Sequence, residues 1–252
     1  MHGGEISENT ANWYGGGIYM IEGDFIMHAG EISENTANYD GGGIYITNGT
    51  FTMHDGNIEG NTAGVNAGGV KVDSYYSECI WCCDRDIVLY NGFARGIKNF
   101  TMTGGRISGN TAEQYGGGVY LVFGQFNIVG GKITDNSAAY GGGIKISHYE
   151  RDIFDGWNCC HLSNPDWSHF NPMMIGRFTM SNSKIMNNIA NDGGGIFISH
   201  NNTHIDHILD IANNNIFTGN VARNGLFINN AVAALNPQIQ PGTVSARNTY
   251  IY

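Results

Sequence analysis

Basic residues are scarce in this chain of 252 residues: 12 Lys and Arg stand against 22 Asp and Glu, a formal charge of -10. A surface so poor in cations cannot neutralise phosphates, which excludes nucleic acid as a partner. Long apolar runs are also missing, so no helix here is expected to span a bilayer. Regularly spaced leucines are absent, which argues against a leucine-rich repeat. A signal peptide is lacking too: Met1 already stands at the repeat position of Met27, where a basic n-region and an apolar core should lie. The expectation is therefore a fragment, with missing sequence or a stacking partner at its N-terminal end.

What the chain has in abundance is glycine, 38 residues, arranged in a repeat. The unit is clearest from Met27 to Thr52, MHAGEISENTANYDGGGIYITNGTFT, and recurs every 26 residues where nothing is inserted. In each copy an Asn follows an apolar residue by three positions: Asn9, Asn35, Asn61, Asn110, Asn136, Asn188 and Asn220. Ala sits two residues further on, then a glycine run precedes an apolar pair, and the unit closes on Phe25, Phe51, Phe100, Phe126 or Phe178. A fixed period of this size means a solenoid or a propeller. Within a unit the apolar residues form three brief period-two segments, too few and too short for a four-stranded blade. The predicted fold is all-β: a right-handed, single-stranded parallel β-helix of about seven coils forming one domain over residues 1–252, with residues 231–252 as an irregular tail or C-terminal cap. At one inter-strand spacing per coil the rod is ~34 Å long, with Phe, Met and Ile stacked inside.

The recurring columns have physical reasons. A side-chain amide repeated at every coil can satisfy, in register, backbone groups that a turn removes from the sheet ladder. Glycine supplies positive φ and the absence of a Cβ at tight corners. Both are expected to be structural, since a role repeated in every coil is a folding role. His2, His28 and His54 should form an outward column about 4.8 Å apart, read as surface turn residues in preference to a metal site. A second outward column, Tyr19, Tyr45, Lys71, Tyr120, Lys145 and Phe197, offers aromatic rings that could stack on sugars or pack on one another.

The GGGI or GGGV and I-x-x-N motifs, once per coil, resemble the GGA[ILV] and F-x-x-N repeats of polymorphic outer membrane proteins, within the pectin-lyase-like β-helix superfamily. The likeness covers most of residues 1–228. It departs in having Gly in place of Ala at the third motif position and mostly Ile in place of Phe before the Asn. The resemblance implies a bacterial surface or secreted passenger-type β-helix, often adhesive, and carries over no catalytic residue.

Insertions break the period at one corner. The step from the glycine-run apolar residue to the closing Phe is seven residues from Ile44 to Phe51, but 30 from Val70 to Phe100 and 34 from Ile144 to Phe178. Residues 73–99 and 148–177 should therefore leave the same side of the rod and pack as a lobe, with a smaller excursion near His200 to Ile208. These insertions hold all five cysteines and Trp81, Trp157 and Trp167. Ligand contacts are expected from those Trp residues and Tyr90, with Tyr19, Tyr45 and Tyr120 on the rod, and the ligand is a host or environmental glycan or protein. Inter-loop disulfides are the preferred state of Cys79, Cys82, Cys83, Cys159 and Cys160, with free buried thiols and a zinc site as the alternatives. A zinc site from Cys79, Cys82, Cys159 and Cys160, or with His161, has suitable residue types but irregular spacing. No cofactor is expected. Asp86, Asp152 and Asp155 are the candidates for carbohydrate cleavage, the alternative ranked below binding.

Overall fold

In the computed structural model, residues 1–73, 99–122, 125–147, 177–200, 209–212, 214–223 and 244–248 are described. They are all β, and every strand pairing in them is parallel. Each coil contributes one rung to each of several sheets. The first sheet stacks Glu5–Ser7, Glu31–Ser33, Asn57–Glu59, Arg106–Ser108, Lys132–Thr134, Lys184–Met186 and Ile216–Thr218. A second holds the strands after the glycine runs, from Ile18–Met20 through Ile44–Thr47, Val70–Asp73, Val119–Val122, Ile144–Ser147 and Ile196–His200 to Val244–Asn248. The third carries the Phe strands, from Gly23–Met27 and Gly49–Met53 to Leu209–Ile211.

The register puts like on like. Ile32 pairs with Ile6 and Ile58, Ile44 with Ile18 and Val70, and Phe51 with Phe25 and Phe100. Because strand side chains alternate, Ile44 and Ile46 point inward while Tyr45 and Thr47 point outward. The three inner faces meet in one core of Ile, Val, Phe and Met in which Ile32, Ile44, Phe51, Met53, Phe100 and Ile107 are fully buried. The Phe rings form a continuous column, with centroids 5.4, 4.9, 4.5 and 5.4 Å apart from Phe25 to Phe178.

Three strands per coil undercounts the unit. A fourth, two-residue strand follows each Asn in the N-terminal coils, Thr10–Ala11, Thr36–Ala37, Thr62–Ala63 and Thr111–Ala112, and these form their own parallel sheet. Its Ala side chains are buried at Ala37, Ala63 and Ala112, which explains the Ala two residues beyond each Asn. Two residues are too few to show period-two patterning, so composition alone could not reveal this strand.

The corners explain the rest of the motif. Gly41 and its equivalents Gly116, Gly141 and Gly193 sit at φ between 64° and 67°. A Cβ on Gly42 would lie 2.4 Å from the Thr62 carbonyl oxygen and 2.6 Å from that of Gly68, so the next coil's backbone forbids any side chain there. On Gly43 a Cβ would meet the Gly69 oxygen at 2.8 Å and the Asn61 amide at 3.1 Å. The third Gly therefore lets successive coils sit close against the Asn column. The residue before each Asn is also left-handed, at Glu8, Glu34, Gly60, Gly109, Asp135, Asn187 and Gly219.

Candidate functional site

The Asn column lies at the turn between the first sheet and the short Thr-Ala strands, and its interior members Asn35, Asn61, Asn110, Asn136 and Asn188 are fully buried. Each repeats one bonding scheme. Asn61 Oδ1 accepts from the Asn35 backbone N–H and the Asn35 amide, both at 3.0 Å. Asn61 Nδ2 donates to Asn110 Oδ1 and to the Ile32 carbonyl, both at 2.9 Å. Asn9, at one end, is exposed, and Asn220, at the other, is half-buried. All four polar valences of an interior amide are thus used in holding coils together, with none turned towards a ligand.

Chemistry concentrates instead on the outer face of the glycine-run sheet. One ladder there is Tyr19, Tyr45, Lys71, Tyr120, Lys145 and Phe197, set in register by the strand pairing. Beside it runs a second, Tyr14, Asp40, Asn66, Tyr115, Tyr140 and Asp192, formed by isolated bridges just before the glycine runs. The second ladder covers the first. Tyr19 stays exposed, but Tyr45, Lys71, Tyr120 and Phe197 are buried and Lys145 is fully so. The sequence placed this column on the outside correctly but does not reveal its burial, because the covering residues share only a repeat position and no common chemistry.

The buried Lys71 on this face is held by carboxylates and rings together. Lys71 Nζ lies 2.8 Å from Asp40 Oδ2 and 3.3 Å from Asp73 Oδ2, and 5.0 and 5.5 Å from the ring centroids of Tyr45 and Tyr120. Tyr45 donates its hydroxyl to Asp73 Oδ2 at 3.2 Å, and the Asn66 backbone N–H donates to Asp40 Oδ1 at 3.1 Å. Burial works against the Lys71 charge, but the Asp73 and Asp40 carboxylates outweigh it and hold the ammonium above its ordinary range. Burial first, then the same two carboxylates, pushes the Tyr45 phenol well above its ordinary value, so it stays protonated and can donate to Asp73. Lys145 repeats the cation-over-ring arrangement against Tyr115 and Phe197, at 5.3 and 4.6 Å.

Where this face reaches the first two coils, aromatic rings come to the surface. Trp13 and Tyr39 stack at 4.8 Å, and Tyr14 and Tyr19 stand beside them, all four exposed. Trp13 and Tyr39 were missed as candidates, although they occupy one repeat position 26 residues apart. The histidines do form an outward stack, His2 to His28 at 4.6 Å and His28 to His54 at 5.0 Å. Face-to-face rings do not converge their nitrogens on one point, and among the described residues no group of three His, Cys, Asp or Glu is placed to hold a metal. Partial desolvation, followed by the His2 and His54 charges and the N-terminal ammonium, lowers the His28 pKa. On the first sheet's outer face a shallow groove is lined by Glu31, Glu34, Glu59, Arg106 and Asp135, with Arg106 and Asp135 paired at 3.1 Å. Both partners are about half exposed, so this pair contributes little to stability.

The insertion candidates Trp81, Tyr90, Trp157, Trp167, Asp86, Asp152, Asp155, Cys79, Cys82, Cys83, Cys159, Cys160 and His161 lie outside the described residues, as does most of the 231–252 tail. No helix among the described residues is long and apolar enough to cross a membrane.

Residues 30–47 match the Chlamydia polymorphic membrane protein (Chlamydia_PMP) repeat. That segment runs from the corner at Gly30 through the Asn35 turn and the glycine run to the strand Ile44–Thr47, most of one coil. The chain is a parallel β-helix, and the matched coil carries a polymorphic membrane protein-like repeat. No curated protein and no solved structure matches it.

Proposed function

We propose that this protein is a bacterial surface or secreted β-helix, passenger- or adhesin-like, whose rod carries ligand-binding elements at one corner. The supporting observation is the polymorphic membrane protein repeat at residues 30–47, set in a stack whose recurring Asn column is consumed by folding. The repeats make a stiff spacer, and the long variations in coil length are the insertions from one corner, an arrangement that suits display of a binding surface. The ligand is a host or environmental glycan or protein, held by the Trp-rich insertions, with the exposed rings of Trp13, Tyr39 and Tyr19 as a further surface for stacking.

A glycan array and a cell-surface binding assay on the intact protein, with product analysis on the same samples, test this reading. Retention without product release, weakened by Trp157→Ala or Trp167→Ala, is the expected result. Reducing-end or unsaturated-sugar formation abolished by Asp86→Asn or Asp152→Asn would replace it with the enzymatic alternative.

A further inference from the structure

We propose that Lys71 and Asp40 condense to an intramolecular amide that covalently staples the second coil to the third, with Asp73 as the proton shuttle. Three features of the site set it apart from an ordinary ion pair. The Lys71 amine rests 2.8 Å from the Asp40 carboxylate it would acylate, in a pocket walled by the Tyr45 and Tyr120 rings. One ammonium faces two carboxylates, and the second, Asp73, contacts Nζ at 3.3 Å while Tyr45 fixes it by a hydrogen bond. The other oxygen of Asp40 accepts the Asn66 backbone N–H, which places a fixed donor where negative charge would develop when the carboxyl carbon is attacked.

The chemistry is balanced without any external reactant. A proton passes from Nζ to Asp40 Oδ2 along the hydrogen bond between them; the two carboxylates favour the ammonium, so this transfer is uphill and the neutral amine beside a neutral acid is a minor species drawn off by the step that follows. The nitrogen lone pair attacks Cγ, and the Asn66 N–H stabilises the charge on Oδ1. Asp73 then takes a proton from the nitrogen and delivers it to the Oδ2 hydroxyl, the Cγ–Oδ2 bond breaks, and water leaves. An ammonium and a carboxylate become one amide and one water, with no change in oxidation state. In bulk water the separate ions win. Here the partners are held in contact, which raises their effective concentration, and the product replaces a buried ion pair with one neutral group. The link would close a loop between residues 31 positions apart and tie the rod together beside the root of the first insertion.

Intact-mass measurement of the reduced, full-length protein after incubation at neutral pH tests the proposal, with peptide mapping of the same sample. The expected result is a mass one water below the sequence mass and a branched peptide joining the segments that contain Asp40 and Lys71. Lys71→Arg keeps a cation in the pocket and should restore the full mass while the β spectrum is unchanged; Asp73→Asn should slow the water loss at least tenfold. A folded wild-type protein of full mass that yields two separate linear peptides would overturn the proposal. So would a water loss that persists in Lys71→Arg, since that marks cyclisation of an Asp elsewhere.

Discussion

The buried Asn turn and the outer face of the glycine-run sheet are both ladders with one rung per coil, yet they are built on opposite rules. The Asn column repeats one residue at every rung because a primary amide carries both donors and acceptors, so each copy bonds to the copies above and below. The outer column changes from rung to rung: Tyr45, Lys71, Tyr120, Lys145. A lysine cannot stack on a lysine at strand spacing, whereas it can lie between two rings and beside a carboxylate. Identity in a column thus marks a self-complementary group, and alternation marks a charge that must be neutralised.

That contrast can be broken at its strongest point first. Asn61→Ala removes the acceptor for the Asn35 N–H and the donor to the Ile32 carbonyl, and each stranded backbone group is expected to destabilise by roughly 1–3 kcal/mol. Asn9→Ala, at the exposed end, should shift the midpoint of chemical denaturation far less. Equal shifts would mean that the amides act singly and not as a ladder.

Glycine substitutions sharpen the same point about coil spacing. Gly42→Ala forces a Cβ against two backbone oxygens of the next coil and should destabilise by about 3 kcal/mol, measured by thermal or denaturant unfolding. Gly43→Ala meets one backbone oxygen and a side-chain amide, so about 1 kcal/mol is expected.

A smaller effect of opposite sign is expected before the Asn. Glu34 sits at φ 55°, where Gly60 and Gly109 stand in the next two coils, and Glu34→Gly should raise stability by about 0.5–1 kcal/mol through relief of left-handed strain. A loss of stability would show that the Glu34 side chain contributes more than its backbone conformation takes away.

The smallest effect is on titration. His28 should protonate below the ordinary imidazole value, read from its ring proton shifts by NMR. Because the folded state binds that proton less readily than the unfolded chain, the contribution to stability is complete above the ordinary value. It is lost as pH falls from there through the folded pKa. Replacing His2 and His54 with Gln should return His28 towards the ordinary value.

Much of this architecture was legible in the residues because each rung repeats the last. Aligning the copies gives the pairing of Phe51 with Phe100 across the 73–99 insertion as readily as that of Phe25 with Phe51. The Thr-Ala strand escaped notice because two residues carry no period. Burial of Tyr45, Tyr120 and both lysines escaped because it depends on Tyr14, Asp40, Tyr115 and Asp192, which align in space but differ in kind. Asp40 and Lys71 belong to different coils and different columns, so nothing in their local sequence announces that they touch.

Residues far apart in sequence stack at one strand spacing per coil. Spin labels attached by cysteine-independent chemistry at Ile26 and Thr179, both on the outer side of the Phe sheet and four rungs apart, measure this directly by dipolar spectroscopy. Four spacings put the two backbones ~19 Å apart despite the intervening chain. A single narrow distribution near that value is the expected result; a broad distribution, or one centred well beyond ~30 Å, would contradict the stacked register.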